Sequence, residues 1–118
     1  MERDPQTLLP LHPKDYLVLF ALSAGERHGY GLVKDIEEQT ESAVKLDPSN
    51  LYRSLKRLIQ EGLVEEREPA RSSENGDDRR RYYGITDFGM RVVTAEAERL
   101  RQLTRAAMDR NLIRKGTA

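Results

Sequence analysis

The sequence predicts a mainly α-helical protein with one small β-hairpin. Three observations support this prediction: an Asp47-Pro48 pair that is typical of a helix start, two short β-prone segments on either side of a polar loop, and a long amphipathic segment near the C-terminal end. The chain has 118 residues, which is the usual length of one domain. We therefore expect these elements to share one core.

The N-terminal region predicts an arm followed by a buried helix. Residues 1–12 contain two prolines, and Pro13 suits the first turn of a helix because its missing N–H has no partner there. Every residue from Tyr16 to Leu22 is apolar, which fits either a buried strand or a buried helix. Pro13 before this run and Ser23-Ala24-Gly25 after it favour the helix.

A second helix is predicted to begin after a turn at residues 25–29 and to continue to about Glu41. Leu32 and Ile36 lie four residues apart and define its apolar side. We expect the motif at His28 and Tyr30 mainly to serve the fold, with Tyr30 in the core. A phosphate contact from His28 or the nearby backbone is the alternative.

The third helix has the clearest boundaries in the chain. Asp47 is a favourable N-cap, Pro48 suits the first helical position, and Gly62 lies where a C-cap glycine is expected. Residues 63–67 predict a strand, and Arg79 to Ile85 predict the strand that returns to it. The polar segment between them makes the tip of the hairpin.

The last helix is predicted to start after Thr86 and to continue to about Arg114. Its apolar side could serve the core alone, but the helix is about 40 Å long at 1.5 Å per residue, more than a unit of this size can cover. A homodimer seam is therefore favoured. Glu96, Thr104 and Asn111 interrupt this side, either as polar groups of an effector pocket or as residues that set the register of the seam. The predicted interface residues are Val93, Ala97, Leu100, Leu103 and Ala107.

Three helices followed by a hairpin predict a winged helix-turn-helix fold with a long C-terminal dimerisation helix. The predicted organisation is an arm at 1–12, the winged helix-turn-helix domain at 13–85, and the dimerisation helix and tail at 86–118.

One side of the third helix has the composition of a DNA-reading surface. From Pro48 to Gln60 there are three basic residues and no acidic one. Arginine can donate two hydrogen bonds to guanine, and serine and lysine suit phosphate oxygens. The alternative is an ordinary amphipathic helix with accidental charge. The predicted DNA-contacting residues of this helix are Ser49, Asn50, Tyr52, Arg53, Lys56 and Arg57, although Tyr52 also borders the apolar side and is expected to pack.

The predicted wing carries a basic run beside two tyrosines. Alternation along a strand places Arg79 and Arg81 on one face, where they would contact the phosphate backbone. A solvated charge run is the alternative. Tyr82 and Tyr83 point to opposite faces, so we expect one of them to be in the core.

Composition excludes several classes of function. The absence of cysteine removes disulfides, thiolate chemistry and nearly all structural zinc sites, and two histidines do not predict a metal cluster. No glycine-rich phosphate loop or paired acid and base motif is present, so we expect no enzyme, no metal and no cofactor. No apolar run approaches the ~18 residues that a membrane span needs, and the start from Met1 to Pro5 has no apolar signal core, which predicts a cytoplasmic protein.

The formal net charge of +0 hides an asymmetry. Residues 1–47 hold five basic and nine acidic side chains, whereas residues 48–118 hold fifteen basic and eleven acidic ones. Such an asymmetry hints at nucleic-acid or surface binding.

Four motifs in order resemble the PadR family of bacterial transcriptional regulators. They are His28-Gly29-Tyr30-Gly31, the run from Ser49 to Leu58, Glu61-Gly62-Leu63-Val64, and the run from Arg80 to Gly89. The resemblance covers roughly residues 10–110. It implies a winged-helix dimer whose third helix reads a pseudo-palindromic operator in double-stranded DNA, and a repressor that is released by a small aromatic effector.

The chain departs from the family pattern at two points. Ser49-Asn50 replaces the usual Gly-Thr, and Arg53 stands where many members have proline, so the operator sequence does not carry over. The chain has no tryptophan, so a tryptophan-lined effector pocket is not expected. The alternative function is a winged-helix module that binds protein without direct DNA readout, which the zero net charge favours.

Overall fold

The computed structural model describes residues 3–40, 47–67 and 82–114. Their elements are, in chain order, a short 3-10 helix Pro5–Leu8, α1 Pro13–Leu22, β1 Arg27–His28, α2 Gly29–Gln39, α3 Pro48–Gln60, β2 Val64–Arg67, β3 Tyr82–Ile85 and α4 Asp87–Asp109. The prediction of a mainly α-helical fold with a small antiparallel β element is confirmed.

The predicted helix starts are confirmed at the level of individual hydrogen bonds. Pro13 is the first residue of α1. The Asp47 carboxylate accepts from the Asn50 backbone N–H at 2.9 Å, and the Thr86 hydroxyl accepts from the Gly89 N–H at 2.9 Å. Each cap satisfies one of the N–H groups that the first turn of a helix leaves without an intrahelical partner.

The predicted helix ends were too late by a few residues. Helix α2 ends at Gln39, and the Thr40 hydroxyl donates back to the Ile36 carbonyl at 2.8 Å. Helix α4 ends at Asp109 because Asn111 adopts a left-handed backbone conformation, with φ +62°. Asparagine tolerates this conformation better than most residues, and it commonly terminates helices.

The sheet contains a strand, β1, that was not predicted from the sequence. Residues 25–29 were expected to be a turn, but β1 pairs antiparallel with β3, with Arg27 opposite Tyr83 and His28 opposite Tyr82. Strand β2 pairs with the other edge of β3, so the order is β1-β3-β2. A two-residue strand carries no alternation signal of its own and is defined only by its partner.

One core joins α1, α2, α3, the sheet and the first half of α4. Tyr83 is 3% exposed, which confirms that one of the two adjacent tyrosines is a core residue. Tyr30 was expected in the core and is 68% exposed. It lies in the first turn of α2, where its ring stacks on His28, and the inward side of this helix is formed by Leu32 and Ile36.

The start of α4 lies directly on the strand side of the core. A Cβ atom at Gly89 would lie 2.1 Å from the Leu63 carbonyl oxygen, so the close approach of these backbones requires glycine. At Gly62, by contrast, the requirement is conformational, because φ is +78°.

The N-terminal arm is fastened to α4 by a buried carboxylate. Glu96 is 1% exposed, and one of its oxygens accepts from the Leu11 backbone N–H at 2.8 Å. Arg99 donates to both carboxylate oxygens. Leu8, Leu9 and Leu11 pack against the core from the same side. Glu96 therefore serves the fold of a single chain, and its interpretation as a seam or pocket residue was wrong.

We predict that Glu96→Gln lowers the free energy of unfolding by about 1–3 kcal/mol near neutral pH, because the substitution removes charge-assisted hydrogen bonds from a buried site. Hydrogen bonding to Arg99 and to the Leu11 N–H holds the pKa of the Glu96 carboxyl below its ordinary value, despite burial. The stability from this carboxylate is present above the pKa of the unfolded chain, about 4.5, and is lost as pH falls through the folded-state pKa.

Urea unfolding of both proteins between pH 3 and 7 checks this prediction. The difference between them should shrink as the solution becomes acidic. Glu98→Gln is the matched control, because Glu98 pairs with Arg101 at the same helical spacing but in solvent. Equal effects of the two substitutions would contradict the assignment of Glu96 as the anchor of the arm.

Candidate nucleic-acid interface

The orientation of α3 is set by its apolar side. Leu51, Leu55 and Leu58 are 1–2% exposed and face the core. Ser54 belongs to the same buried side and is 2% exposed. The opposite side of the helix faces outward. It carries the exposed residues Ser49, Tyr52, Arg53, Lys56, Arg57 and Gln60, with Asn50 half-buried at its edge.

The first turn of α3 is organised by its N-cap. The Ser49 hydroxyl donates to Asp47 Oδ1 at 2.7 Å, and the Asn50 side-chain amide donates to Asp47 Oδ2 at 3.1 Å. The Ser49 hydroxyl most strongly, and then the Asn50 backbone N–H, lower the pKa of the Asp47 carboxyl. Ser49 and Asn50 thus lie in the N-terminal turn of α3, as predicted. To contact a base, either side chain would have to replace its hydrogen bond to Asp47 by one to the base.

Arg53 and Lys56 carry the accessible charge of the helix. Both side chains are exposed, and neither has an ion pair with any residue in the described ranges. They lie three positions apart and therefore share one side of the helix. This part of the predicted site is the most available to an anionic partner.

Arg57 differs from the other two cations because it is held by a carboxylate. Its Nε and Nη2 atoms donate to the two carboxylate oxygens of Asp15, at 3.2 and 2.7 Å. This hydrogen bonding raises the pKa of the Arg57 guanidinium. Asp15 lies in the first turn of α1 and is 7% exposed. The pairing of Arg57 with Asp15 was not predicted, because the two residues are 42 positions apart in the sequence.

Tyr52 forms the other edge of the outward side. Its hydroxyl lies over the start of α2, where a Cβ atom at Gly29 would come within 2.8 Å of it. The ring is nevertheless 51% exposed. The expected packing role of Tyr52 is therefore satisfied by α2, and its hydroxyl remains at the border of the interface.

A group of exposed and half-buried side chains around the start of α2 was not predicted as one surface. The His28 ring stacks on Tyr30 with 6.4 Å between centroids and meets Tyr82 edge-on at 5.7 Å. The Lys34 ammonium lies 5.8 Å from the Tyr30 ring centroid. The Nδ1 atom of His28 accepts from the Gly31 N–H at 3.1 Å, so this histidine serves first as the N-cap of α2.

The predicted wing arginines Arg79 and Arg81 lie outside the described residues. The strand that follows them, β3, is in place beside β1 and β2. The first described residue of β3, Tyr82, lies opposite His28, the residue that precedes α2.

The predicted dimer residues follow one side of α4, which changes from buried to exposed along the helix. Val93 is 7% exposed and belongs to the core of its own chain. Leu100 and Ala107 are half-buried, Ala97 is exposed, and Leu103 is 54% exposed. The same apolar side thus continues beyond the part of the helix that the core covers.

An open groove of about 500 Å³ lies on the outer side of α4 next to the N-terminal arm. It is lined by Gln6, Met90, Arg91, Thr94, Ala95, Glu98, Arg99 and Gln102. Among the described residues there is no cluster of side chains that could hold a metal ion. None of the described helices combines the length and apolarity that crossing a bilayer requires.

Three core helices, an antiparallel sheet and an outward third helix with accessible cations define a winged helix-turn-helix protein. Residues 18–95 match the model of the Transcriptional regulator PadR-like family, and the chain belongs to that family. The predicted family is therefore confirmed. Members of this family are transcriptional regulators and not enzymes, which also agrees with the sequence reading.

Solved structures support the same fold. A transcriptional regulator from Clostridium thermocellum is 26% identical, with a TM-score of 0.67, over 82% of this chain and 87% of that one. A PadR family transcription regulator from Clostridium difficile is 24% identical, with a TM-score of 0.71, over 86% and 100%. Bacillus subtilis PadR, solved in complex with operator DNA, is 24% identical, with a TM-score of 0.59, over 73% and 47%. No significant sequence match was found among curated proteins.

Proposed function

We propose that this chain regulates transcription by binding double-stranded DNA through the outward side of α3. The observation that carries the proposal is the accessible pair Arg53 and Lys56, on a helix whose other side is fixed in the core. Phosphate contacts supply affinity and base-edge contacts supply selectivity. Family membership and the operator complex of Bacillus subtilis PadR support this assignment.

The proposed DNA-binding form is a homodimer. The apolar side of α4 continues beyond the core of its own chain, and Leu103 on this side is exposed. In a two-fold dimer, the same side of α4 from the second copy would cover it. Two α3 helices would then enter successive major grooves about 34–36 Å apart on a pseudo-palindromic site. Arg79 and Arg81 would hold the wing on the phosphate backbone.

The proposed regulation is repression that a small aromatic effector relieves. The groove between the arm and α4 supports this part of the proposal, because the apolar side chains of Met90 and Ala95 and the basic side chain of Arg91 line it together. An aromatic acid has the matching chemistry, with an apolar ring and one negative charge.

We predict that Arg53→Ala weakens binding to a duplex selected by this protein from a random DNA pool by tenfold or more, and relaxes selectivity at one base position. Lys56→Ala should weaken binding to all sequences about equally and reduce the salt slope by about 1. Fluorescence anisotropy at ~50 and ~200 mM salt measures both, because phosphate neutralisation makes affinity fall steeply over this range.

Arg105→Ala is the matched control, because it removes the same charge from the exposed side of α4. It should leave selectivity unchanged. Negligible DNA binding by the unsubstituted protein at low salt would contradict the proposed function. Loss of a protein partner on Arg53→Ala, together with such an absence of DNA binding, would favour the alternative of a protein-binding winged helix.

We predict that Leu103→Glu converts the dimer to monomers while the chain stays folded, because Leu103 is exposed in the single chain and would be buried only by its partner. Burial of a leucine side chain contributes about 1.5–3 kcal/mol, and the dimer buries it twice. Sedimentation velocity and far-UV circular dichroism check the two parts. Gln102→Glu, at the adjacent position about 100° around the helix and outside the predicted seam, is the control and should leave the association unchanged.

We predict that at least one member of a panel of aromatic acids raises the melting temperature and weakens binding to the selected duplex. A ligand that binds the folded state stabilises it by mass action. Met90→Glu should abolish the response, because it places a negative charge beside the expected ring. A panel in which no compound shifts the melting temperature would contradict regulation by an effector of this class.

A further inference from the structure

The Asp15–Arg57 pair has an unusual position for an interaction inside the fold. The Asp15 side chain is 10% exposed, whereas the Arg57 side chain is 51% exposed and belongs to the outward side of α3. The guanidinium also donates from Nη2 to the Ser54 hydroxyl at 3.4 Å. A buried carboxylate in α1 therefore holds a cation that stands at the edge of the proposed DNA interface.

The geometry of the pair limits what Arg57 can offer to DNA. Arginine distinguishes guanine by donating two N–H groups, in a fixed fork, to O6 and N7. In Arg57 the edge formed by Nε and Nη2 already makes such a bidentate contact, with the two oxygens of Asp15. The second N–H of Nη2 donates to the Ser54 hydroxyl, so the two N–H groups of Nη1 remain, and without Nη2 they form no two-nitrogen fork.

Arg53, one helical turn earlier, is in a different state. It is exposed and has no ion pair within the described part of the chain. Its whole guanidinium can therefore be directed to a base edge. The two arginines are four residues apart on one helix. Only Arg53 still has both nitrogens of a bidentate edge available to a base.

We propose that Asp15 is a positioning residue that determines DNA selectivity: it occupies one bidentate edge of Arg57, holds Nη2 beside the Ser54 hydroxyl, and restricts this arginine to phosphate contacts through Nη1, so that Arg53 reads the bases. The proposal rests on the proposed function, since it assigns roles within the same interface. Asp15 acts through Arg57 and does not itself contact DNA.

A second consequence concerns attraction to DNA of any sequence. An arginine paired with a carboxylate carries little net charge toward a distant polyanion. A guanidinium released from Asp15 would neutralise further phosphates on any duplex, whereas on the selected duplex this gain would be offset by the loss of the fixed position of Arg57. Asp15 therefore suppresses non-selective binding as well as positioning Arg57.

The test compares two duplexes, one selected by the unsubstituted protein from a random pool and one of scrambled sequence with the same composition. We expect Asp15→Asn to raise affinity for the scrambled duplex about three- to tenfold and to make the salt slope steeper by about 0.9 for each newly engaged phosphate. The ratio of the two affinities should fall by a similar factor. Glu38→Gln, which removes one exposed negative charge from α2, should change this ratio less than twofold.

A double substitution keeps the test informative if Asp15→Asn impairs folding. Asp15→Asn with Arg57→Gln replaces both charged groups by amides and leaves no buried charge without a partner. This variant should keep the base preferences of the unsubstituted protein with weaker overall affinity, whereas Arg53→Gln should lose a preference at one position. Thermal unfolding of each variant identifies any general loss of structure.

Two results would overturn the proposal while leaving the proposed function intact. One is an unchanged affinity ratio in Asp15→Asn. The other is loss of a base preference in the double variant, which would mean that Arg57 reads a base. If the unsubstituted protein binds no DNA at low salt, the proposed function itself fails before this comparison begins.

Discussion

Burial of one leucine stripe on α3 determines which side chains this protein can offer to a partner. Leu51, Leu55 and Leu58 lie in the core, and burial of each contributes about 1.5–3 kcal/mol. Successive residues of a helix are ~100° apart, so a rotation by one position would expose this stripe. Contacts at both edges fix the helix further: the Asp15 carboxylate holds one edge, and Tyr52 lies over Gly29 at the other. The core and the outward cations are therefore consequences of the same constraint.

The N-terminal arm links α3 to α4 through direct contacts with both helices. The Glu96 carboxylate accepts a hydrogen bond from the Leu11 N–H, and the leucines of the arm pack against the core. Arg3 forms an ion pair with Glu61, at the end of α3, at 3.2 Å. The Arg3 guanidinium also lies 4.7 Å from the Phe88 ring centroid, in the first turn of α4. The N-terminal arm thus contacts both the C-terminal end of α3 and the first turn of α4. The spacing between two α3 helices in a dimer would depend on these contacts, since they set the angle at which α4 leaves the core.

Features that depend on neighbouring residues could be predicted from the sequence, whereas contacts between distant elements could not. Asp47 and Thr86 cap helices through atoms two or three residues away, so their spacing alone identifies them. The Arg57 and Glu96 contacts join residues 42 and 85 positions apart, and no local pattern indicates such partners. Strand β1 exists only through β3. Tyr30 was misplaced because aromatic character suggested burial, while its position in the first turn of α2 directs it outward. The proposed DNA contacts and dimer seam remain predictions.

The formal net charge of +0 is a poor guide to the surface that DNA would meet. Three acidic residues in the described ranges border α3, and each is engaged within the chain: Asp47 caps the helix, Asp15 holds Arg57, and Glu61 pairs with Arg3. Arg53 and Lys56 project between them. A zero total removes long-range attraction to DNA, because the field of the whole protein is weak at distances beyond ~10 Å. Affinity must then come from contacts made at short range. For such a protein, carboxylates placed beside the reading helix raise selectivity, because they remove the non-selective part of the attraction and leave the geometry of the remaining cations intact.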